Sequence, residues 1–252
     1  MKLIQLFEDE HLLTTKDAIS DWLLQNSILI KRDFQINDDL TVDIFSHFKI
    51  FPSSLYDLKR LPIRFGFCTG TFTVSRSELI TLEGCPKYVD GNFYADRCDI
   101  TSLKGAPLEV SGTFSANRCE FLTSLEGAPR EVGADFQVSM CALDSLKGSP
   151  KVVHGHFDCS ESTLRSLKGA PKEVGKDFLC YNNELFSLEG APREVGGGFN
   201  CENNFLRSLK GAPEWIGEDL SAYGNPLQED LKHEYEPKNI GGRIMGIPYE
   251  TE

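Results

Sequence analysis

One pattern repeats through most of the chain and limits the folds available to it. A phenylalanine recurs at steps of 24, 21, 21, 22, 21, 21 and 21 residues, and one further step of 21 brings Leu220 into its place. A period this regular over eight units is typical of a stacked solenoid, because each unit must bury its apolar face against its neighbours. We call these phenylalanines the anchors: Phe48, Phe72, Phe93, Phe114, Phe136, Phe157, Phe178 and Phe199.

The columns of the repeat indicate which side chains point inward. Two places after each anchor stands a small or medium apolar residue such as Ala95, and seven places after it stands an apolar residue such as Leu185 or Phe121. This alternation predicts a short strand, and stacked units would align such strands in a parallel sheet with corners made by glycine and proline. Five places after the anchor stands Ser, Cys or Asn, a small group that can hydrogen-bond the backbone as the chain leaves the strand.

The two ends of the chain differ from the repeat. Thr14 and Asp17 form a helix-capping pattern, and apolar residues follow at helical spacing up to residue 26. Apolar residues then alternate between Phe34 and Ile44 on both sides of an Asn-Asp-Asp turn, which predicts a hairpin. The predicted organisation is an N-terminal cap of helix plus hairpin at 1–47, a solenoid at 48–219, and a short C-terminal cap, helical from Leu227 to Tyr235, with an irregular tail at 220–252.

Composition excludes several classes of function. The 252 residues carry a formal net charge of −12, whereas domains that grip nucleic acid directly are usually basic. No apolar run approaches the roughly 20 residues of a membrane span. The N-terminus has acids where a secretory signal has its apolar core, so we expect a cytoplasmic protein whose eight cysteines are reduced.

The repeat resembles a known family. The frame Phe178-x-Cys180-x-x-Asn183-x-Leu185-x-x-Leu188 is similar to the core of leucine-rich repeats, which also place Asn or Cys at one column. Over roughly residues 34–227, the amino-acid sequence of the hairpin and the units that follow it resembles repeat proteins encoded by large T4-like tailed bacteriophages. This resemblance implies a horseshoe-like or weakly curved right-handed solenoid inside an infected bacterium, and it implies no reaction. The sequence departs from the leucine-rich-repeat pattern at one column, because its valines stand four residues before the anchor rather than three.

The predicted fold class is therefore a mainly β repeat solenoid. It has a leucine-rich-repeat-like parallel sheet of about eight 21-residue coils, a small α+β N-terminal cap and a short C-terminal cap.

No residues form a recognisable catalytic or metal-binding set. Cys159, Cys180 and Cys201 would form a straight internal row, whereas a structural zinc site needs about four converging ligands. His156 and Asp158 should face outward while Cys159 faces inward, which divides the only other candidate cluster between two faces. We therefore expect no metal, no cofactor and no enzymatic activity.

The outward positions supply candidate contact residues. Aromatic and arginine side chains are common anchors of protein interfaces. The candidate arginines Arg76, Arg97 and Arg118 could instead be solvated and paired with nearby acids, which are Asp96, Asp99 and Glu120. A column that largely alternates in sign, from Glu83 and Lys104 to Lys210, is more simply a solvated ladder. The candidate partner-binding residues are Arg76, Tyr94, Asp96, Arg97, Arg118, Asp158, Leu179, Tyr181, Glu202 and Tyr223.

The function that these observations favour is a non-enzymatic scaffold that binds a host or phage protein and blocks or redirects it, an antiviral defence protein being one candidate. One alternative is an acidic nucleic-acid mimic, motivated by the charge of −12, although the repeated arginines count against it. A second alternative is a structural part of a virion, which would require self-association, and two capped ends argue against end-to-end stacking. We expect a monomer or small oligomer.

Overall fold

Each repeat unit contributes two short strands, and both pair in parallel with the strands of neighbouring units. The computed structural model describes residues 12–51, 58–228 and 239–247. It shows a mainly β parallel solenoid of about nine coils of ~21 residues, which confirms the predicted fold class with one coil more than expected. Within these residues, no helix is both long and apolar enough to cross a membrane.

The anchors form the first sheet, which we call the Phe sheet. Its ten strands are parallel and in register, so that each anchor lies beside the next, as Phe157 does beside Phe178. Neighbouring rings stack with centroids 4.5 to 5.9 Å apart, close to the spacing of paired strands. The strands are β3 (Phe48–Lys49), β5 (Phe72–Thr73), β7 (Phe93–Tyr94), β9 (Phe114–Ser115), β11 (Phe136–Gln137), β13 (Phe157–Asp158), β15 (Phe178–Leu179), β17 (Phe199–Asn200), β19 (Leu220–Ser221) and β21 (Ile244–Met245).

The valine column before the anchors forms a second sheet of eleven strands, which we call the Val sheet. Its pairs are parallel apart from the N-terminal hairpin, and a three-residue corner such as Gly196–Gly198 joins it to the Phe sheet. The residue four places before each anchor, a valine in most units, is therefore the last residue of a second strand. The strands are β1 (Phe34–Ile36), β2 (Thr41–Ile44), β4 (Arg64–Cys68), β6 (Tyr88–Val89), β8 (Glu109–Val110), β10 (Glu131–Val132), β12 (Val152–Val153), β14 (Glu173–Val174), β16 (Glu194–Val195), β18 (Trp215–Ile216) and β20 (Asn239–Ile240).

A helix and a hairpin cover the N-terminal end, as predicted. Helix α1 spans Lys16–Asn26, and its N-cap is Thr15 rather than Thr14, because the Thr15 hydroxyl accepts the Ala18 N–H at 3.2 Å. After α1, the Ile28 N–H donates to the Lys49 carbonyl at 3.1 Å, on the edge strand of the Phe sheet. This contact satisfies backbone groups that would otherwise form an open sheet edge.

The C-terminal end corrects the expectation of an irregular tail. Residues 239–247 add one strand to each sheet, because Trp215 pairs with Asn239 and Leu220 pairs with Ile244. Ile240 and Ile244 keep the four-residue spacing of valine and anchor, but a longer step from Leu220 conceals it in the sequence. Most of the predicted helical cap, including Tyr235, lies outside the described residues.

The inward columns lie where the repeat places them, with one exception. The anchors and the residues two places after them are buried in every coil, and the leucines seven places after them are buried in the described coils. Phe121 is the exception: it is 56% exposed, and Leu122 is buried in its place. That unit has 22 residues, so the extra residue shifts the leucine by one position and turns Phe121 outward.

The polar column five places after the anchor hydrogen-bonds the backbone, as predicted. The Asn183 amide donates to the Cys159 and Cys180 carbonyls at 3.1 Å, and the Leu164 N–H donates to the Asn183 side-chain oxygen at 3.0 Å. Cys119 is the thiol equivalent and donates to the Ala95 carbonyl at 3.3 Å. The column therefore ties each coil to the preceding one.

Candidate protein-binding surface

The residues one and three places after each anchor lie on the outer face of the Phe sheet. Burial alternates along most of these strands, so Leu179 and Tyr181 are half-buried outside while Cys180 between them is buried inside. Ser115 and Ser221 are the exceptions within the strands, because these outward residues are buried. Tyr223 is the most exposed of the predicted contact residues on this face, at 53%. The structure thus places seven predicted residues on one face: Tyr94, Asp96, Asp158, Leu179, Tyr181, Glu202 and Tyr223.

The three carboxylates of this group are engaged within the solenoid. Asp96 accepts the Asn117 N–H at 2.9 Å and the Ser115 hydroxyl, which joins two coils. Asp158 accepts the N–H and hydroxyl of Ser160 at 3.0 and 2.6 Å. Glu202 accepts the hydroxyl of Ser221 in the next coil. These contacts give the carboxylates a role in the fold, which leaves the tyrosines and Leu179 as the groups whose presence the fold does not explain.

The predicted arginines lie at the corner where the chain leaves the Phe sheet. Arg76, Arg97 and Arg118 have φ values of 62°, 56° and 58°, in the left-handed region. In the later coils the same corner position holds Met140, Glu161, Asn182, Asn203 and Gly224, all with positive φ. The corner therefore requires a backbone angle that glycine or asparagine adopts at lower cost, and the fold does not account for arginine there.

Two of these arginines line a shared depression. Arg97 and Arg118 border an open hollow of about 410 Å³, together with Glu120, Phe121 and Met140. Among the described residues, no carboxylate lies within 4.0 Å of the guanidinium nitrogens of Arg76, Arg97 or Arg118, so the alternative of arginines held in ion pairs is not observed. We call Arg97, Arg118 and Phe121 the arginine–Phe121 site.

The structure adds exposed phenylalanines that the sequence analysis did not single out. Phe121 was assigned to the interior, and the 22-residue step is the signal that could have placed it outside. Phe186 and Phe205 stack on each other at the side of the solenoid that follows the corner, with ring centroids 5.4 Å apart. In the sequence, Phe186 and Phe205 could have been recognised as aromatic residues in columns that otherwise hold mostly polar residues.

All eight cysteines are buried, and Cys159, Cys180 and Cys201 lie inward as predicted. Cys68 pairs with Val89 and occupies the inward column of the Val sheet. Burial raises the pKa of Cys68 to about 11 and that of Cys141 to about 12. The thiols are therefore protonated at neutral pH, which disfavours nucleophilic or metal-binding roles.

His156, which was predicted to face outward, and the nearby His154 both contact acids in neighbouring coils. His154 Nε2 lies 2.7 Å from Glu131 Oε1, and His156 Nδ1 lies 3.1 Å from Asp177 Oδ2. Across the described part of the chain, no group of three or more His, Cys, Asp or Glu residues is arranged to hold a metal ion.

The charged column between the two sheets contains one ion pair that matches its predicted role. Lys104 Nζ lies 3.3 Å from Glu126 Oε2, and both side chains are exposed. Exposed pairs of this kind contribute at most about 1 kcal/mol each, so this column is a solvated ladder rather than a source of specificity.

No protein-family model, no characterised protein and no solved structure matches this chain. The resemblance to leucine-rich repeats and to phage proteins therefore stays a resemblance. The chain is a repeat solenoid with two sheets of mostly parallel strands.

Proposed function

We propose that this chain is a non-enzymatic protein-interaction scaffold, and that its working surface is the outer face of the Phe sheet with the adjoining arginine corner. The observation that carries the proposal is the arginine–Phe121 site. Arg97 and Arg118 are exposed and without ion pairs among the described residues, and they lie beside a phenylalanine that is 56% exposed. Arginine and aromatic side chains are the usual energetic anchors of protein interfaces.

Stacked coils support this proposal because they fix the spacing of the contact groups. Arg76, Arg97 and Arg118 occupy equivalent positions in adjacent coils, so their guanidinium groups form a row roughly 10 Å long. A rigid row of this kind loses little conformational freedom on binding, which favours affinity. The complementary partner presents a strip of carboxylates to the row and an apolar surface to Phe121, Tyr181 and Tyr223.

The resemblance to phage repeat proteins supports a narrower proposal. The partner is a host or phage protein in the cytoplasm of an infected bacterium, and binding blocks or redirects it. This step rests on analogy, since a fold does not determine a function. The arginine row counts against a nucleic-acid mimic, which would be acidic along its working face.

The test is affinity capture from a bacterial lysate with quantitative mass spectrometry, using the wild-type chain and matched variants. We expect one protein to be enriched by the wild type and by Lys147→Glu, a change in an exposed turn away from the site. Its enrichment should be lost with Arg97→Glu combined with Arg118→Glu, and reduced with Phe121→Ser. Equal capture by all four proteins, or loss with Lys147→Glu alone, would contradict the proposed surface.

Each variant must also be folded for the comparison to count. All four positions are exposed, so far-UV circular dichroism and the midpoint of urea unfolding should match the wild type within error. A loss of capture together with a lowered midpoint would point to misfolding instead.

A further inference from the structure

Phe186 and Phe205 project from the side of the solenoid that follows the arginine corner. They stand eight and six places after their anchors, in the coils of Phe178 and Phe199. The neighbouring positions of these two columns mostly hold polar or charged residues. In the described coils these neighbours are Glu78, Ile80, Asp99, Thr101, Phe121, Thr123, Ala142, Asp144, Thr163, Arg165, Glu184, Arg207, Pro226 and Gln228, where Phe121 and Thr123 follow the one-residue shift of their unit.

The two rings form a rigid exposed pair. Phe186 is 67% exposed and Phe205 is 49% exposed, and their rings stack at 5.4 Å with an angle of 23° between planes. The Phe205 N–H donates to the Leu185 carbonyl at 2.9 Å, and Leu185 and Leu206 are fully buried beside the pair. The backbone that carries the rings is therefore held by the core, and the rings themselves are not needed to fill it.

Charge around the pair favours an acidic ligand. Arg165 and Arg207 flank Phe186 in the same column, one coil to either side. Arg165 Nε lies 3.0 Å from Glu184 Oε2, which neutralises this arginine. Arg207 is exposed and has no ion pair among the described residues, so within that part of the chain its positive charge is not neutralised, although the net charge of the chain is −12.

We propose that Phe186, Phe205 and Arg207 form a second docking site, for a short segment of a partner protein that presents an apolar side chain next to a carboxylate. The apolar side chain packs on the exposed faces of the two rings. The carboxylate accepts hydrogen bonds from the Arg207 guanidinium, whose planar fork suits bidentate contacts. Phe186 lies three coils from Phe121, a distance of roughly 14 Å, and Phe205 and Arg207 lie one coil farther, so the site stands independently of the arginine–Phe121 site.

The experiment uses a displayed library of random short peptides, selected on the immobilised full-length chain. Selected sequences should be enriched in an aromatic or large aliphatic residue adjacent to Asp or Glu. Their synthetic counterparts are then titrated by fluorescence anisotropy against the wild type and four variants. The variants are Phe186→Ser combined with Phe205→Ser, Arg207→Glu, Arg97→Glu combined with Arg118→Glu, and Lys147→Glu.

The expected result separates the two sites. Loss of both rings, or reversal of charge at Arg207, should weaken peptide binding by roughly tenfold or more, as expected for interface anchors. The other two variants should bind as the wild type does. Because the altered side chains are exposed, the unfolding midpoints should not change.

Three outcomes overturn the proposal. The first is an absence of enriched peptides, or enrichment of basic sequences. The second is a peptide that binds the double phenylalanine variant as tightly as the wild type. The third is a concentration-dependent dimer of the wild type, seen by sedimentation and lost in that variant, which would make a second copy of the chain the occupant. The arginine–Phe121 site could still bind its own partner in each case.

Discussion

Replacing Phe178 by alanine tests the packing that holds the coils together. The side chain is 0% exposed, and its ring stacks on Phe157 at 5.1 Å and on Phe199 at 5.5 Å. Truncation of a buried phenylalanine typically costs about 3–5 kcal/mol in total, and the loss of two stacked ring pairs, each worth about 0.5–1.5 kcal/mol, places this residue in the upper part of that range. The cavity cannot collapse easily, because backbone hydrogen bonds fix the spacing of the coils. We therefore expect Phe178→Ala to lower the free energy of unfolding by about 4–5 kcal/mol.

Two further substitutions calibrate that magnitude. Phe199 has a ring on one side only, since Leu220 takes the anchor position in the next coil, so Phe199→Ala should cost about 1 kcal/mol less. Tyr181 lies half-buried on the outer face of the Phe sheet, and Tyr181→Ala should cost less than about 1 kcal/mol.

Urea unfolding provides the measurement, followed by far-UV circular dichroism and by tryptophan fluorescence. Trp22 lies in α1 and Trp215 lies in β18, so the fluorescence of single-tryptophan variants reports on opposite ends of the solenoid. Coincident transitions would justify a single free energy of unfolding. Equal losses for Phe178→Ala and Tyr181→Ala would refute the assignment of inner and outer columns.

Three further predictions concern the columns and corners. Asn204 is buried, donates to the Cys180 and Cys201 carbonyls, and accepts from the Leu185 N–H, so Asn204→Ala should cost about 2–4 kcal/mol in urea unfolding, whereas Asn182→Gly, an exposed change that the corner φ of 52° tolerates, should cost far less. Arg97 has a φ of 56°, so Arg97→Val should destabilise by about 1–2 kcal/mol while Arg97→Asn should be neutral or slightly stabilising, and equal midpoints for the two variants would contradict the left-handed corner. Burial raises the pKa of Cys68 from 9.0 in the unfolded chain to about 11, so the unfolded state releases this proton first as the pH rises. The stability that the buried thiol contributes should therefore be fully present below pH 9.0 and lost as the pH rises toward about 11. Cys68→Val, which matches the valine column, should show a smaller alkaline decrease in the urea midpoint.

Most of the fold could be predicted from the sequence because the same residue types recur at the same columns in almost every repeat unit. The anchors, the columns two places after them and the polar column, seen at Phe178, Cys180 and Asn183, all lie where the period places them. The second sheet was missed because its strands from β6 onward are two residues long, too short for alternation to show, and in most of them only the last residue is apolar. Phe121 and Ile244 were missed because one extra residue, or one longer step, disrupts a register assumed to be constant.

The candidate site was less predictable than the fold. Arg97 and Arg118 stand out in the sequence, but their corner position depends on a left-handed backbone angle that Met140 and Asn203 share, so residue type does not reveal it. Phe121 joins them only because an insertion turns it outward. The carboxylate of Asp96 was expected to be available to a partner, yet its hydrogen bonds to the next coil depend on side-chain geometry that a column of letters does not contain.

Binding kinetics with the captured partner test the central claim most directly. Arg97→Glu reverses charge in the arginine row, so it should mainly slow association and weaken its dependence on salt. Tyr181→Ala should mainly speed dissociation, with a loss of binding free energy above about 1 kcal/mol if the tyrosine is an anchor. Lys147→Glu should leave both rate constants unchanged. If Lys147→Glu abolishes binding while Arg97→Glu and Tyr181→Ala leave it intact, the partner uses another side of the solenoid and the assignment of its working surface is wrong.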